Sequence, residues 1–200
     1  IAGGAGAYFY TYVLGDMKLM SGVSIIGLIA SLVGIVMGPY LANRFGKKKV
    51  YLTAVIISTA LNLLRLLDVT SMILIYISAL IGGVAGGWMV PVSTSIQADN
   101  TTYVQYKTGK RAEAAIASLT SFVSKVAQGL GGAIPGYVIA AYGFVTGASV
   151  QPESINTGII LCALILPLIF GILGSLIFGT QYTLDQKAVI EMDAKINRNN

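Results

Sequence analysis

Five apolar stretches, at 21–43, 50–67, 72–98, 112–142 and 157–180, are long enough to cross a membrane and are separated by short polar breaks. A hydrocarbon core roughly 30 Å thick needs about 20 apolar residues of helix. A further run at 1–14 is too short to cross alone. The pattern predicts an all-α, polytopic membrane protein, because runs this continuous lack the alternation of a transmembrane barrel and only helices satisfy their own backbone in lipid. At 55% hydrophobic and 10% charged, the composition is far from that of a soluble domain. The chain begins inside a helix with neither an initiating Met nor a signal peptide, which reads as one part of a larger protein.

Charge placement predicts orientation. Most of the 13 basic residues fall at 43–49 (Arg44, Lys47, Lys48, Lys49), 99–111 (Lys107, Lys110, Arg111) and the tail (Lys187, Lys195, Arg198). These segments share one side if the spans alternate, and the positive-inside rule makes that side the cytoplasm. Lys18 and Arg65, with Asp16, Asp68 and Glu153, lie on the other. The net charge of +5 is then an orientation signal, and no nucleic-acid partner is expected. Arg65 and Asp68, three apart at a helix end, read as a local ion pair.

The chain has no His and one Cys, Cys162, within the last span. That removes disulfide frameworks, most zinc sites and His-based catalysis, so neither an enzyme nor a metal site in this chain is expected.

Lys125 is the exception to the apolar pattern. It lies about 20 Å along the helix from residue 112, deeper than a side chain can snorkel. Ser118, Ser121, Gln128, Gly129, Gly132 and Gly136 share its face, and Ile116, Leu119, Val123, Val126 and Leu130 make the greasy side. Intramembrane charges mark substrate or ion paths, or more plainly bond to carbonyls of neighbouring helices. No acidic residue occupies the midplane of any span. Gly34 with Gly38, Gly82 with Gly86, Gly83 with Gly87 and Gly132 with Gly136 are small-xxx-small pairs that let helices approach closely. Pro39, Pro91, Pro135 and Pro167 lie inside spans.

The segment joining the spans at 72–98 and 112–142 carries Ala98-Asp99, Tyr103, Lys107, Gly109, Arg111 and Glu113, followed by Ser118, Phe122 and Lys125. In this it resembles the glycoside-pentoside-hexuronide:cation symporters. The stretch Tyr8-Phe9-Tyr10-Thr11-Tyr12-Val13-Leu14-Gly15 resembles the opening of that family's C-terminal half, and the tail from Tyr182 fits as well. Thr102 and Gln105 stand where the family often has Asp and Glu. The loop from Pro39 to Lys49 resembles the signature loop of major facilitator transporters, with Pro39 and Asn43 replacing its Gly and Asp.

The resemblance implies a six-helix bundle at 1–180, its first helix truncated, like the C-terminal half of a twelve-helix major facilitator transporter. It implies cotransport of a glycoside, pentoside or hexuronide with Na+ or H+ by alternating access, with no cofactor. The missing N-terminal six-helix half would supply the cation-binding carboxylates. Lys125, Thr120, Ser121 and Ser124, with Gln128 on the same helix, fall where that family faces sugar. Asp99, Tyr103, Lys107, Arg111 and Glu113 form a cytoplasmic gating loop in which an ion pair latches one conformation, the alternative being a solvated positive-inside loop. A pore, or a membrane interaction protein that does not transport, is the competing reading. The remainder, 181–200, is expected to be a cytoplasmic amphipathic tail. Thr183 and Gln186 form a capping box and Val189, Met192 and Ile196 one apolar face, placed along the inner surface of the cell membrane or docked on the loops.

Overall fold

The computed structural model describes residues 2–148 and 151–198. Ile1, Ser149, Val150, Asn199 and Asn200, and the side chains of Ala2, Lys187, Asn197 and Arg198, lie outside the described parts. The described chain is helical throughout its ordered elements, with turns between them. Helix α1 (Ala2–Tyr8) runs into a π-helical turn at Phe9–Val13, then come α2 (Lys18–Phe45), α3 (Lys47–Leu67), α4 (Met72–Thr108) and α5 (Glu113–Ala141). Helix α6 (Ser154–Ile160) continues through a second π-helical turn, Leu161–Ile165, into α7 (Leu166–Gln181), and α8 (Gln186–Arg198) is the last described element. Pro167 enters at the start of α7, where the wider turn relieves the crowding that a proline imposes on a helix interior.

The polar breaks are shorter than the sequence pattern predicts. Between α2 and α3 the chain turns on Gly46 alone, which adopts φ +87°. The predicted loop at 99–111 is mostly helix, because α4 continues to Thr108 and stops only where Gly109 takes the left-handed conformation at φ +68°. Thr101 and Thr108 donate their hydroxyls to the carbonyls of Gln97 and Val104 at 3.1 and 2.8 Å, so the polar residues join the helix instead of ending it. Its 37 residues make α4 about 55 Å long, well beyond the hydrocarbon core.

Among the described residues, four elements are long and apolar enough to cross a membrane: Lys18–Phe45, Lys47–Leu67, Met72–Thr108 and Ser154–Gln181. Helix α5, expected as a fifth, has the length at 29 residues but is not among them. Lys125, Gln128 and its serines and glycines dilute its apolar content. Large apolar side chains such as Ile25, Leu28, Leu32 and Val36 are exposed on α2, a surface that lipid solvates.

The core forms at the two ends of the bundle. Phe9, Ile75, Ile139, Ile155 and Ile159 cluster at one. Ala42, Val50, Val92 and Ile96 cluster at the other, with Trp88, Phe178 and Tyr182 packed against them. Between the clusters α2 and α4 meet backbone to backbone, the most extensive contact in the molecule. A Cβ on Gly34 would run into the Val84 carbonyl, one on Gly87 into the Ser31 carbonyl, and one on Gly83 would lie 2.6 Å from the Gly27 oxygen. Gly38 is held against Pro91 and Trp88. Of the predicted small-residue pairs, a Cβ on Gly82 would only touch Leu61 at 3.5 Å, and one on Gly86, Gly132 or Gly136 would meet nothing within 4 Å.

The tail helix docks on α4. Val189, Met192 and Ile196 are its half-buried side, and the Lys195 ammonium lies 5.8 Å from the Tyr106 ring centroid. The predicted capping box on Thr183 does not form. The Asp185 carboxylate accepts from the Gln186 backbone N–H at 2.7 Å and the Asp185 carbonyl from Val189 at 3.1 Å, because Asp185 immediately precedes the first helical residue.

The expected Arg65–Asp68 ion pair is absent. Asp68 turns back to accept from the Thr70 backbone N–H at 3.1 Å and its hydroxyl at 2.9 Å, since α3 ends at Leu67 and leaves Asp68 in extended backbone. The Arg65 guanidinium lies instead over the Phe9 ring, 5.1 Å from its centroid.

Candidate functional site

Helix α5 stands partly away from the bundle. It buries Gly131, Pro135 and Ile139, and packs on α1, where a Cβ on Gly4 would lie 2.9 Å from the Gly131 carbonyl. Ile116 is half-buried, and from Ala117 to Leu130 the helix is exposed on all sides, so Leu119, Val123, Val126 and Leu130 are not set apart from the polar face by burial. Thr120, Ser121, Ser124, Lys125 and Gln128 are all exposed. Ser121, Ser124, Lys125 and Gln128 follow the i, i+3, i+4, i+7 spacing of one helix face. Thr120 donates its hydroxyl to the Ile116 carbonyl at 2.8 Å. The side chains of the other four make no hydrogen bond or ion pair among the described residues. Gly129, Gly132 and Gly136 extend that face as a smooth strip on which an added Cβ would meet nothing within 4 Å. The result is an exposed, donor-rich surface bearing one cation.

The second constellation lies at the basic end. Asp99, 6% exposed, is the buried charged residue of the described core. Its two oxygens each accept from the Lys47 ammonium at 2.7 Å, and Oδ2 also accepts from the Tyr182 hydroxyl at 3.4 Å. Lys47 opens α3, where the positive end of the helix macrodipole disfavours a cation, so the carboxylate offsets both the lysine and the helix end. The Tyr182 ring stacks on Phe178 with centroids 4.9 Å apart, and Phe178 packs on Tyr51 at 4.6 Å. One buried carboxylate thereby ties the start of α3, the C-terminal third of α4 and the end of α7 together. Burial, then the Asp99 charge and the hydrogen bond to it, push the Tyr182 phenol up to about 12. A cleft of about 210 Å³ opens beside this group, lined by Lys47, Lys48, Lys49, Asp99 and the residues leading into α8.

The other predicted gating residues lie apart from Asp99. Tyr103 is 37% exposed on the extension of α4, with the Lys107 ammonium 5.9 Å from its ring centroid. Arg111 and Glu113 are exposed at the turn into α5 and make no side-chain hydrogen bond or ion pair among the described residues. The residues that do engage Asp99, Lys47 and Tyr182, were read only as part of a basic loop and the start of a tail. A signal for Lys47 was present, since a lysine at a helix N-terminus behind Gly46 calls for a nearby carboxylate.

A multi-pass helical bundle with one donor-rich face unpartnered and its basic end closed by a buried ion pair has the architecture of part of a membrane transporter. The chain belongs to the MFS/sugar transport protein family, whose sequence profile matches residues 1–186. It is 32% identical over 191 residues to the uncharacterized symporter YjmB of Bacillus subtilis, covering 93% of this chain and 41% of that protein. It is 30% identical over 198 residues to the glucuronide carrier protein homolog of Escherichia coli, covering 94% of this chain and 42% of that protein. To the isoprimeverose transporter of Lactiplantibacillus pentosus it is 28% identical over 154 residues, covering 74% and 31%. The chain therefore spans about two fifths, or less, of the length of these relatives, which are transport proteins and not enzymes.

Proposed function

We propose that this chain is the C-terminal half of a sugar:cation symporter, working by alternating access against an N-terminal six-helix half. The observation that carries the reading is Lys125, exposed on α5 with no partner among the described residues. A membrane-depth cation is retained at a cost of roughly 3 kcal/mol or more unless a polar cavity or countercharge relieves it. In this reading Lys125, Ser121, Ser124 and Gln128 donate hydrogen bonds to sugar hydroxyls or to a uronide carboxylate, and Thr120 offers its oxygen as an acceptor. The coupling ion is Na+ or H+, held by carboxylates of the other half. Residues 1–180 form the transport unit and 181–200 a tail on the cytoplasmic side of the cell membrane. The Lys47–Asp99–Tyr182 cluster latches that side in one state of the cycle, with Tyr103, Lys107, Arg111 and Glu113 available to partners from the other half.

The test is uptake of labelled glycosides, pentosides and uronides by cells expressing the complete transporter, with and without a Na+ gradient and with a protonophore. Saturable, gradient-dependent uptake of one sugar is expected, and Lys125→Ala should lower it at least about tenfold, equivalent to ~1.4 kcal/mol. Flux that never saturates would indicate a pore. No uptake with the protein shown to be in the membrane, or full activity in Lys125→Ala, would sink the reading.

A further inference from the structure

At the end of the bundle remote from the basic cluster, Arg65 is a cation with no ion-pair partner among the described residues. Its Nε is sealed from solvent and has no hydrogen-bond partner. Asp68, the nearest carboxylate along the chain, is engaged by Thr70, and the ion pair present among the described residues, Lys47–Asp99, is elsewhere. The Arg65 side chain is half-buried, and the Phe9 ring, 5.1 Å from the guanidinium carbon, supplies about 0.5–2 kcal/mol of cation–π attraction but no neutralising charge.

A cavity of about 220 Å³ adjoins the guanidinium, between the first π-helical turn and helices α2, α3 and α4. Its polar lining is Tyr10, Ser58, Asn62, Arg65 and Ser78. Ser58, Asn62 and Arg65 lie at i, i+4 and i+7 on one face of α3, and Ser78 comes from the facing helix. The Asn62 amide donates once, to the Ser58 carbonyl at 3.1 Å. The hydroxyls of Tyr10, Ser58 and Ser78 make no hydrogen bond among the described residues. No lining residue is acidic. The wall thus presents one fixed positive charge, free hydroxyl donors and a spare amide hydrogen. The volume is below the roughly 300 Å³ at which sites for larger organic ligands begin.

We infer that Arg65 and the hydroxyls of Tyr10, Ser58 and Ser78 form a binding site for a small monovalent anion, a halide or a short carboxylate, separate from the Lys125 face. The guanidinium supplies the charge and its N–H fork, the hydroxyls complete the shell, and the anion fastens the π-helical turn after α1 to α3 and α4.

The experiment uses the complete transporter in nanodiscs, with its thermal midpoint followed as the sodium salt of MES, a bulky sulfonate without sugar hydroxyls, is exchanged for sodium chloride or sodium formate at constant ionic strength. A saturable rise is expected for chloride or formate in the unmodified protein and in Lys125→Gln. Arg65→Gln should weaken that dependence at least tenfold. A midpoint indifferent to both small anions, or a saturable rise retained in Arg65→Gln, would overturn the assignment. Should Arg65→Gln fail to fold, the Ser58→Ala/Ser78→Ala double variant is read in the same titration, together with anomalous scattering from bromide-soaked crystals of the unmodified protein. Bromide within hydrogen-bonding reach of the guanidinium, with a weakened titration in the double variant, supports the site, and no bromide there overturns it.

Discussion

Between α2 and α4, a methyl group added to Gly34 or Gly87 would run into the backbone of the opposite helix; on α5, one added to Gly129, Gly132 or Gly136 meets nothing within 4 Å. The spacing of small residues is much the same in both places. In the seam it brings two long helices into backbone contact, where dispersion rather than the hydrophobic effect must hold helices together in lipid. On α5 it leaves a smooth strip beside Lys125. The lysines divide in the same way, Lys47 bonded to Asp99 at 2.7 Å and Lys125 without a partner among the described residues. A small-residue motif therefore marks a surface capable of close approach, and says nothing of whether the approaching helix belongs to the same bundle.

The largest effect that tests this contrast is Gly87→Ala. Overpacking costs about 1–3 kcal/mol where side chains can move aside, and here the obstacle is backbone, so the loss of stability should reach or exceed the top of that range. Gly132→Ala should be neutral or raise stability by up to about 1 kcal/mol, because alanine suits a helix interior better than glycine. Thermal midpoints of the two variants in detergent check both, and equal losses would erase the distinction between seam and face.

Next in size, Asp99→Asn should cost about 3 kcal/mol, since it leaves the Lys47 ammonium buried against an amide. Lys47 is 18% exposed on its side chain and can reach toward water, which holds the loss near the lower end for a broken buried pair. Lys125→Gln should leave the same denaturation midpoint nearly unmoved. A stability loss in Lys125→Gln comparable with that in Asp99→Asn would show that the α5 face is packed within this chain after all.

The smallest effect is expected at Tyr182. Its 3.4 Å bond to Asp99 is long, so Tyr182→Phe should cost less than about 1 kcal/mol at pH 8. The folded pKa, about 12, lies above the reference value of 10.0, so the tyrosine's contribution is complete below pH 10 and is lost as pH rises through about 12. Replacement by Phe should remove that part of the alkaline loss. An unchanged stability profile between pH 10 and 12 would place the phenol outside the latch.

Much of the architecture was legible in the residues, and the errors share a physical origin. The apolar runs at 21–43, 50–67 and 72–98 match the helices that form, because run length and helical hydrogen bonding are local properties. The polarity of α5 was legible as well, since Lys125, Ser121, Ser124 and Gln128 fall on one face whatever surrounds them. Asp99 was recognised in the polar segment, whereas Lys47, 52 residues away, and Tyr182, 83 residues away, were not connected to it. The Arg65–Asp68 pairing failed for the complementary reason. Proximity along the chain suggested a bond, but Asp68 satisfied the turn after α3 and the packing of the first π-helical turn brought Phe9 to Arg65.

Local hydropathy and helical periodicity thus determined, from the sequence by itself, that this chain is a helical membrane protein with one charged span and a basic end. Only the tertiary structure decided which glycines close a seam, which lysine is neutralised, and which arginine is left facing a cavity. Those outcomes depend on shape and charge complementarity between faces that are distant in sequence, information that no single helix contains.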